Sequence, residues 1–193
     1  MIYFISDNHF DHTNIIQYCD RPFSSTNEMN DYMVEKWNSV VNEDDTVYFL
    51  GDLTFGRGRR PHKYWLDKLN GDIIFIKGSH DDGCLSEILH FSDLIINCGD
   101  MEILLVHDPV DIPSDWNGWV MHGHHHNNSL EKYPLIHAEN KRINVSVELI
   151  DYTPISIDGI ISMMEHGFTK VLYRKSPPMP MSDLCRAIAQ QSE

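Results

Sequence analysis

The strongest constraint in this sequence is that its short apolar runs do not end in ordinary turns. Residues 2–6, 46–50, 72–77, 93–97, 102–106, 118–122, 142–148 and 168–174 have strand length and β-favouring or apolar content. Five of them run directly into residue types that bind metals. The first enters Asp7-Asn8-His9, the second Gly51-Asp52, the third Gly78-Ser79-His80-Asp81, the fifth His107-Asp108 and the sixth Gly123-His124-His125-His126. Helical patterns lie between. Met29, Tyr32, Met33, Trp37, Val40 and Val41 recur at helical spacing after a capping Ser25 or Thr26. Residues 64–69, 84–91 and 156–166 read as further helices, the first of these ended by the Asn70-Gly71 turn and the last by Gly167. Strands alternating with helices specify a layered α/β or α+β fold. In open sheets of that kind the strand ends form the crevice where ligands bind, so loops far apart in sequence can meet.

With 193 residues, 41% of them hydrophobic and 23% charged, the chain can bury one domain-sized core and is not generally disordered. Composition breaks at the proline-rich stretch 175–181. The expected organisation is one domain over residues 1–174, then a linker and a short terminal helix within 175–193. Leu184, Ala187 and Ile188 would share a face of that helix, a possible route to a homo-oligomer. Fifteen Lys and Arg against 29 Asp and Glu give a net charge of -14, which repels a polyphosphate backbone and disfavours sequence-independent nucleic-acid binding. No apolar run approaches the roughly 20 residues that span a bilayer, and Ser6 and Asp7 cut off the apolar start. A cytoplasmic protein without a membrane segment is expected. Cys19, Cys84, Cys98 and Cys185 form no CxxC pair, which indicates neither a zinc knuckle nor a disulfide framework. The excess is histidine: twelve, of which four fall within residues 122–126.

Each motif alone is ordinary. An Asp-x-His pair at a strand end is often a turn with a capping aspartate, Gly51-Asp52 is a common turn, and His107 can be a half-buried ring with its hydrogen bonds satisfied. Their order carries the inference. Carboxylate with imidazole, and no cysteine nearby, suits Mn, Fe, Zn or Ni. The succession D-x-H, GD, G-x-H-D, H and GHxH resembles the calcineurin-like metallophosphoesterase family over roughly residues 1–130. Trp37-Asn38, Leu69-Asn70-Gly71 and Asn144-Val-Ser-Val147 ahead of Tyr152-Thr153-Pro154 resemble its short bacterial and bacteriophage members.

The resemblance implies an α/β (α+β) fold, a four-layer αββα sandwich with two mixed β-sheets. It also implies a phosphoesterase with two divalent metal ions, manganese first among them and Fe, Zn or Ni as alternatives. Carried over by position, one metal falls on Asp7, His9, Asp52 and His126, and the second on Asp52, residue 79, His107 and His124. Asp52 bridges the pair, whose usual spacing is about 3.5–4 Å, and together the ions activate water for attack on phosphorus. His80 is then the general acid and Asp81 orients its ring. Arg57, Arg59 and Arg60, with His12 and Asn14, are candidates for substrate contacts. His125 should point away from the metals, His122 belongs to its strand, and Trp116, Trp119 and Tyr133 flank the histidine loops.

One position departs from the pattern. Ser79 stands where the family carries asparagine, and a hydroxyl is a shorter and poorer ligand than an amide oxygen. The expected substrate is a small phosphoester, foremost a phosphodiester such as a cyclic or 2′,3′-cyclic nucleotide. The alternatives are a nuclease or phosphomonoesterase of the same fold, or a weakly active or inactive metal-binding interaction module, which Ser79 alone supports.

Overall fold

The computed structural model describes residues 1–83, 85–86, 88–99, 101–165 and 169–171. Strands β1 (Ile2–Ile5), β2 (Thr46–Phe49) and β3 (Asp72–Ile76) lie side by side and parallel. Parallel neighbours need crossovers. Helices α1 (Ile15–Tyr18) and α2 (Thr26–Asn38) occupy the first, and α3 (His62–Leu66) the second. The Ser25 side chain accepts from Glu28 N at the start of α2, one of the donors a helix leaves unpaired there. Met29, Met33 and Trp37 form the buried stripe of α2, and Trp37 Nε1 fixes its far end by donating to Asn70 O at 2.9 Å.

The sheet is completed by β4 (His90–Phe91), parallel to β3, and by β10 (Ile155–Ser156), antiparallel to β1. A second sheet holds β5 (Asp93–Cys98), β6 (Met101–Val106), β7 (Trp119–His122), β8 (Ile136–His137), β9 (Arg142–Asn144) and β11 (Lys170–Val171). Its order is β11-β8-β9-β7-β6-β5. There β6, β7 and β9 are parallel, and the other pairings are antiparallel. The chain thus has an α/β fold with two mixed sheets.

Both sheets feed one core. Phe4, Ile5, Phe49 and Phe75 of the first share a buried cluster with Ile103, Leu105, Met121 and Ile143 of the second. Successive strand residues point to opposite faces, so Leu104, Val106 and Val120 bury the outer face of the second sheet, under Ile112 and Trp116. Helix α4 (Ile157–Glu165) packs on β10 and β1.

Some boundaries differ from expectation. Of the described residues in 84–91 none is helical. Leu85 is buried while Leu89 is 81% exposed, so no continuous apolar face exists, and His90–Phe91 pair with Phe75–Ile76 instead. Helix α3 starts earlier than the spacing predicts and ends at Leu66. The predicted strand 142–148 stops at Asn144 and turns into a 3-10 turn, Val147–Leu149. Elements α1, β8 and β10 are too short to show a period. Of the predicted strand 168–174, Lys170–Val171 is present. Thr169 lies in a bend, and the remaining residues of that strand, the helix stop expected at Gly167 and the proposed linker and tail helix in 175–193 lie outside the described residues. No described helix is long and apolar enough to cross a membrane.

Candidate metal centre

The C-terminal ends of β1, β2 and β3 from one sheet meet those of β6, β7 and β9 from the other. Backbone bonds fasten the loops together: Asp7 N to Gly51 O, His9 N to Asp52 O, Gly123 N to His107 O and Ser6 N to Val145 O, each 3.0 Å. Asp7 (φ 62°), His9 (50°), Asp52 (61°), His124 (70°) and His126 (49°) all take left-handed backbone. Such conformations cost about 1–3 kcal/mol each and concentrate at functional sites. Two glycines permit the approach. A Cβ at Gly78 would strike the Asp52 carboxylate, and one at Gly123 would strike that of Asp7.

Two groups of donors face each other, Asp7–His9–His126 and Asp52–His107–His124, and a third, Cys19–His126–Glu148, adjoins the first, with the ligand atoms of each within 4.8 Å of one another; contrary to expectation, a buried cysteine, Cys19, does lie beside the cluster. Asp7 Oδ2 accepts from Ser6 Oγ (2.6 Å), Ser146 Oγ (2.9 Å) and His124 N (3.0 Å). Its Oδ1 lies 3.8 Å from His126 Nε2. Asp52 Oδ2 stands between the groups, 3.5 Å from His9 Nε2 and 3.4 Å from His107 Nε2.

The histidine partners fix which nitrogens carry lone pairs. His107 Nδ1 is 2.8 Å from Leu50 O and donates to it, so its Nε2 faces the cluster unprotonated when the ring is neutral. His124 Nε2 lies 3.3 Å from Asp108 Oδ2, which turns its Nδ1 inward. These two inward nitrogens are 3.2 Å apart. Two lone pairs beside a carboxylate repel unless a cation or proton lies between them, so the donor set fits a divalent ion. A proton answers the same need in its absence. Burial opposes the charged ring of His107, yet the Asp52 hydrogen bond and the charges of Asp7 and Asp52 push it up to about 9. Burial likewise opposes ionisation of Asp52, and His107 with His9 holds it below the usual carboxylate range. His9 is lowered, by burial and then by His126, while His126 rises against burial because Glu148 and Asp7 face it. His9 Nδ1 is buried without a hydrogen-bond partner.

The remaining predicted residues divide. Ser79 Oγ donates to Asp52 Oδ2 at 3.3 Å, at the edge of the second group. His80 is held at the mouth, its backbone N donating to Asp52 Oδ1 at 2.8 Å and its ring 4.2 Å from that of Phe55. His80 Nε2 is 3.9 Å from Asp52 Oδ2. Asp81 does not orient His80. Its carboxylate is fully buried and accepts from the backbone N of Asp52, Leu53 and Gly78, with His62 Nε2 at 2.7 Å. Its role is to clamp the second and third loops together, because those donors converge where the chain turns back. His12 is buried, with its ring 5.5 Å from His9 and 4.7 Å from Phe55. Burial first, then Arg21, lowers it to about 4.

Arg57 is exposed on the loop after Phe55. Arg60 is instead committed to Asp11, through its backbone N and its guanidinium, and lies 4.3 Å from the Trp65 ring. Asn14 precedes α1 without a side-chain cap. His125 stacks on Tyr133 at 3.6 Å. His122 is buried, its Nδ1 2.9 Å from Gly123 O. Trp116 covers the outer face of the second sheet and donates to Trp119 O.

Sequence reasoning assigned no site role to four residues, of which Ser146 lies in the segment 144–147 that carries part of the resemblance. Ser146 bonds Asp7, and Glu148 Oε1 meets His126 Nδ1 at 2.9 Å. Arg21 holds Glu148, and Phe55 contacts His9, His12 and His80. Ser146 and Glu148 follow β9, so the strand-end rule applied to a sixth strand points to them. Nothing local marks Arg21.

No family model matches the sequence. Protein AQ665 of unknown function from Aquifex aeolicus has a similar structure, with a TM-score of 0.65 at 28% identity over 84% of this chain and 98% of that one. YfcE, a phosphoesterase from E. coli, is a remoter likeness. It is 18% identical with a TM-score of 0.40, over 75% of this chain and 77% of that one, too distant to bear on activity. The uncharacterized protein MJ1445 of Methanocaldococcus jannaschii is 44% identical over 168 residues, 86% of this chain and 92% of that protein. At that identity and coverage, the chain belongs to the family of the M. jannaschii protein.

Proposed function

We propose that the protein is a metal-dependent phosphoesterase of the calcineurin-like type, hydrolysing small phosphodiesters such as cyclic or 2′,3′-cyclic nucleotides. One observation carries the reading: a single oxygen, Asp52 Oδ2, lies within 3.5 Å of both His9 Nε2 and His107 Nε2, so one carboxylate serves two donor groups. Divalent ions held by Asp7, His9, His126, Asp52, His107 and His124, with manganese as the first choice, would supply Lewis acidity toward phosphate and water. The chain supplies the rest. His80, with its side chain 41% exposed at the mouth, gives its ring proton to the leaving oxygen. Phe55, His12 and the exposed Tyr18 ring, 6.1 Å from His12, wall one side and suit the planar base of a nucleotide. Arg57 on the adjoining loop meets the phosphate. The net charge of -14 weighs against a long nucleic-acid substrate.

The test is a hydrolysis panel with and without Mn, then with Fe, Zn and Ni, covering aryl mono- and diesters, cyclic nucleotides and single-stranded nucleic acid. Mn-dependent turnover of diesters is expected. Preference for monoesters or strands makes it a phosphomonoesterase or nuclease, and no turnover of any ester favours an interaction module.

A further inference from the structure

Building on that metal reading, we propose that Glu148, clamped by Arg21, is the positioning residue of the Asp7–His9–His126 group. Glu148 Oε1 lies 2.9 Å from His126 Nδ1 and accepts from Arg21 Nε at 2.9 Å and Nη2 at 2.7 Å. All three side chains are buried. Arg21 turns its other donors to the carbonyls of Asp7 and Asn8, each at 2.8 Å. One guanidinium therefore fixes the left-handed turn from which Asp7 and His9 project and, through Glu148, the ring of His126. Asn144 Nδ2 adds a bond to His126 O at 3.2 Å, holding the backbone of the same residue.

The consequence for the ring is specific. With its Nδ1 proton directed at Glu148, His126 presents the Nε2 lone pair toward Asp7, and a carboxylate partner makes that nitrogen a stronger donor. The partners in the other group are weaker: His107 Nδ1 rests on a neutral carbonyl, Leu50 O, and His124 Nε2 lies 3.3 Å from Asp108 Oδ2, a part-exposed carboxylate that no arginine clamps among the contacts of the described residues. Glu148 thus strengthens one metal position and not the other. A purely structural ion pair would stabilise the fold without distinguishing the two.

Calorimetric titration of the metal-stripped full chain with Mn²⁺ separates these roles, with the metal-induced rise in Tm as a second readout. Wild type should take up two ions. Glu148→Ala should weaken one of them by about 10–100-fold, the usual effect of removing a ligand's supporting partner, and leave the other within twofold. Glu148→Gln keeps an acceptor oxygen but not the charge and should fall between, which serves if the alanine variant fails to fold. Wild-type affinity for both ions in either variant, even with a lowered Tm, overturns the proposal and leaves Glu148 structural. A wild-type chain that takes up no Mn²⁺ overturns the metal reading and this inference with it.

Discussion

The Ser79 hydroxyl donates to Asp52 Oδ2 across 3.3 Å, so the one residue that departs from the metallophosphoesterase pattern touches the carboxylate expected to join the two metals. That contact does two things. It uses an acceptor site on that oxygen, and it leaves the second group with Asp52, His107 and His124 as its three donors. Ser79→Asn should replace a donor to Asp52 by an amide oxygen facing the ion. The Mn concentration for half-maximal diester hydrolysis should then fall, with a smaller change at saturation, because a water can substitute for a missing ligand at modest entropic cost. Mn titrations of both proteins check this, and superimposable curves would exclude position 79 from the metal.

Asp52→Asn should lower metal content at both positions at once. Its Oδ2 is the atom shared by His9 and His107, and asparagine keeps the shape while removing the charge that offsets two cations. Elemental analysis of protein purified without chelator gives the answer. Loss of one ion with retention of the other would show that Asp52 serves a single site.

What the sequence made legible was decided by how local each signal is. A strand followed by Asp or His places that side chain at a sheet edge whatever the rest does, so the strand ends supplied the candidates, and the resemblance of their order to a known family divided them into two sets. Direction was harder. Asp81 adjoins His80 in sequence, yet its carboxylate turns inward to three backbone donors and His62, a choice set by loops contributed from elsewhere. Arg21 and Glu148 are 127 residues apart, and only the docking of the two sheets makes them partners. The segment 84–91 misled for the opposite reason: apolar residues at helical intervals were outweighed by an open edge on β3.

Arg60 should register in stability rather than in substrate binding. Burial disfavours the ionised Asp11 carboxylate, but the hydrogen bonds from Arg60 more than compensate and hold it below its ordinary value of 3.8. A depressed carboxylate contributes stability that is fully present above its unfolded pKa and disappears as pH falls through the folded one. As pH falls from about 4 through the lowered folded value of Asp11, the urea midpoint of wild type should fall more steeply than that of Asp11→Asn. Arg60→Ala should flatten the profile in the same way. Parallel profiles for all three would remove the pair from the acid sensitivity of the fold.

His80→Ala should separate chemistry from metal binding. The ring touches Phe55 and lies 5.5 Å from the ring of His9, while the backbone N, which an alanine keeps, makes the bond to Asp52. Truncation therefore removes the proton donor and leaves the anchoring of Asp52 intact, so Mn affinity should stay within about twofold. Turnover should fall by roughly 10²–10⁴ if the imidazole protonates the leaving oxygen. The loss should depend on the ester. A diester whose leaving group is already a weak base, such as a nitrophenolate, needs little protonation and should be affected least, whereas an alkoxide leaving group should show the full effect. Comparing the two esters in wild type and variant separates acid catalysis from a general disturbance of the mouth, since the latter would slow both equally. An unchanged rate on the alkoxide ester would take His80 out of the mechanism.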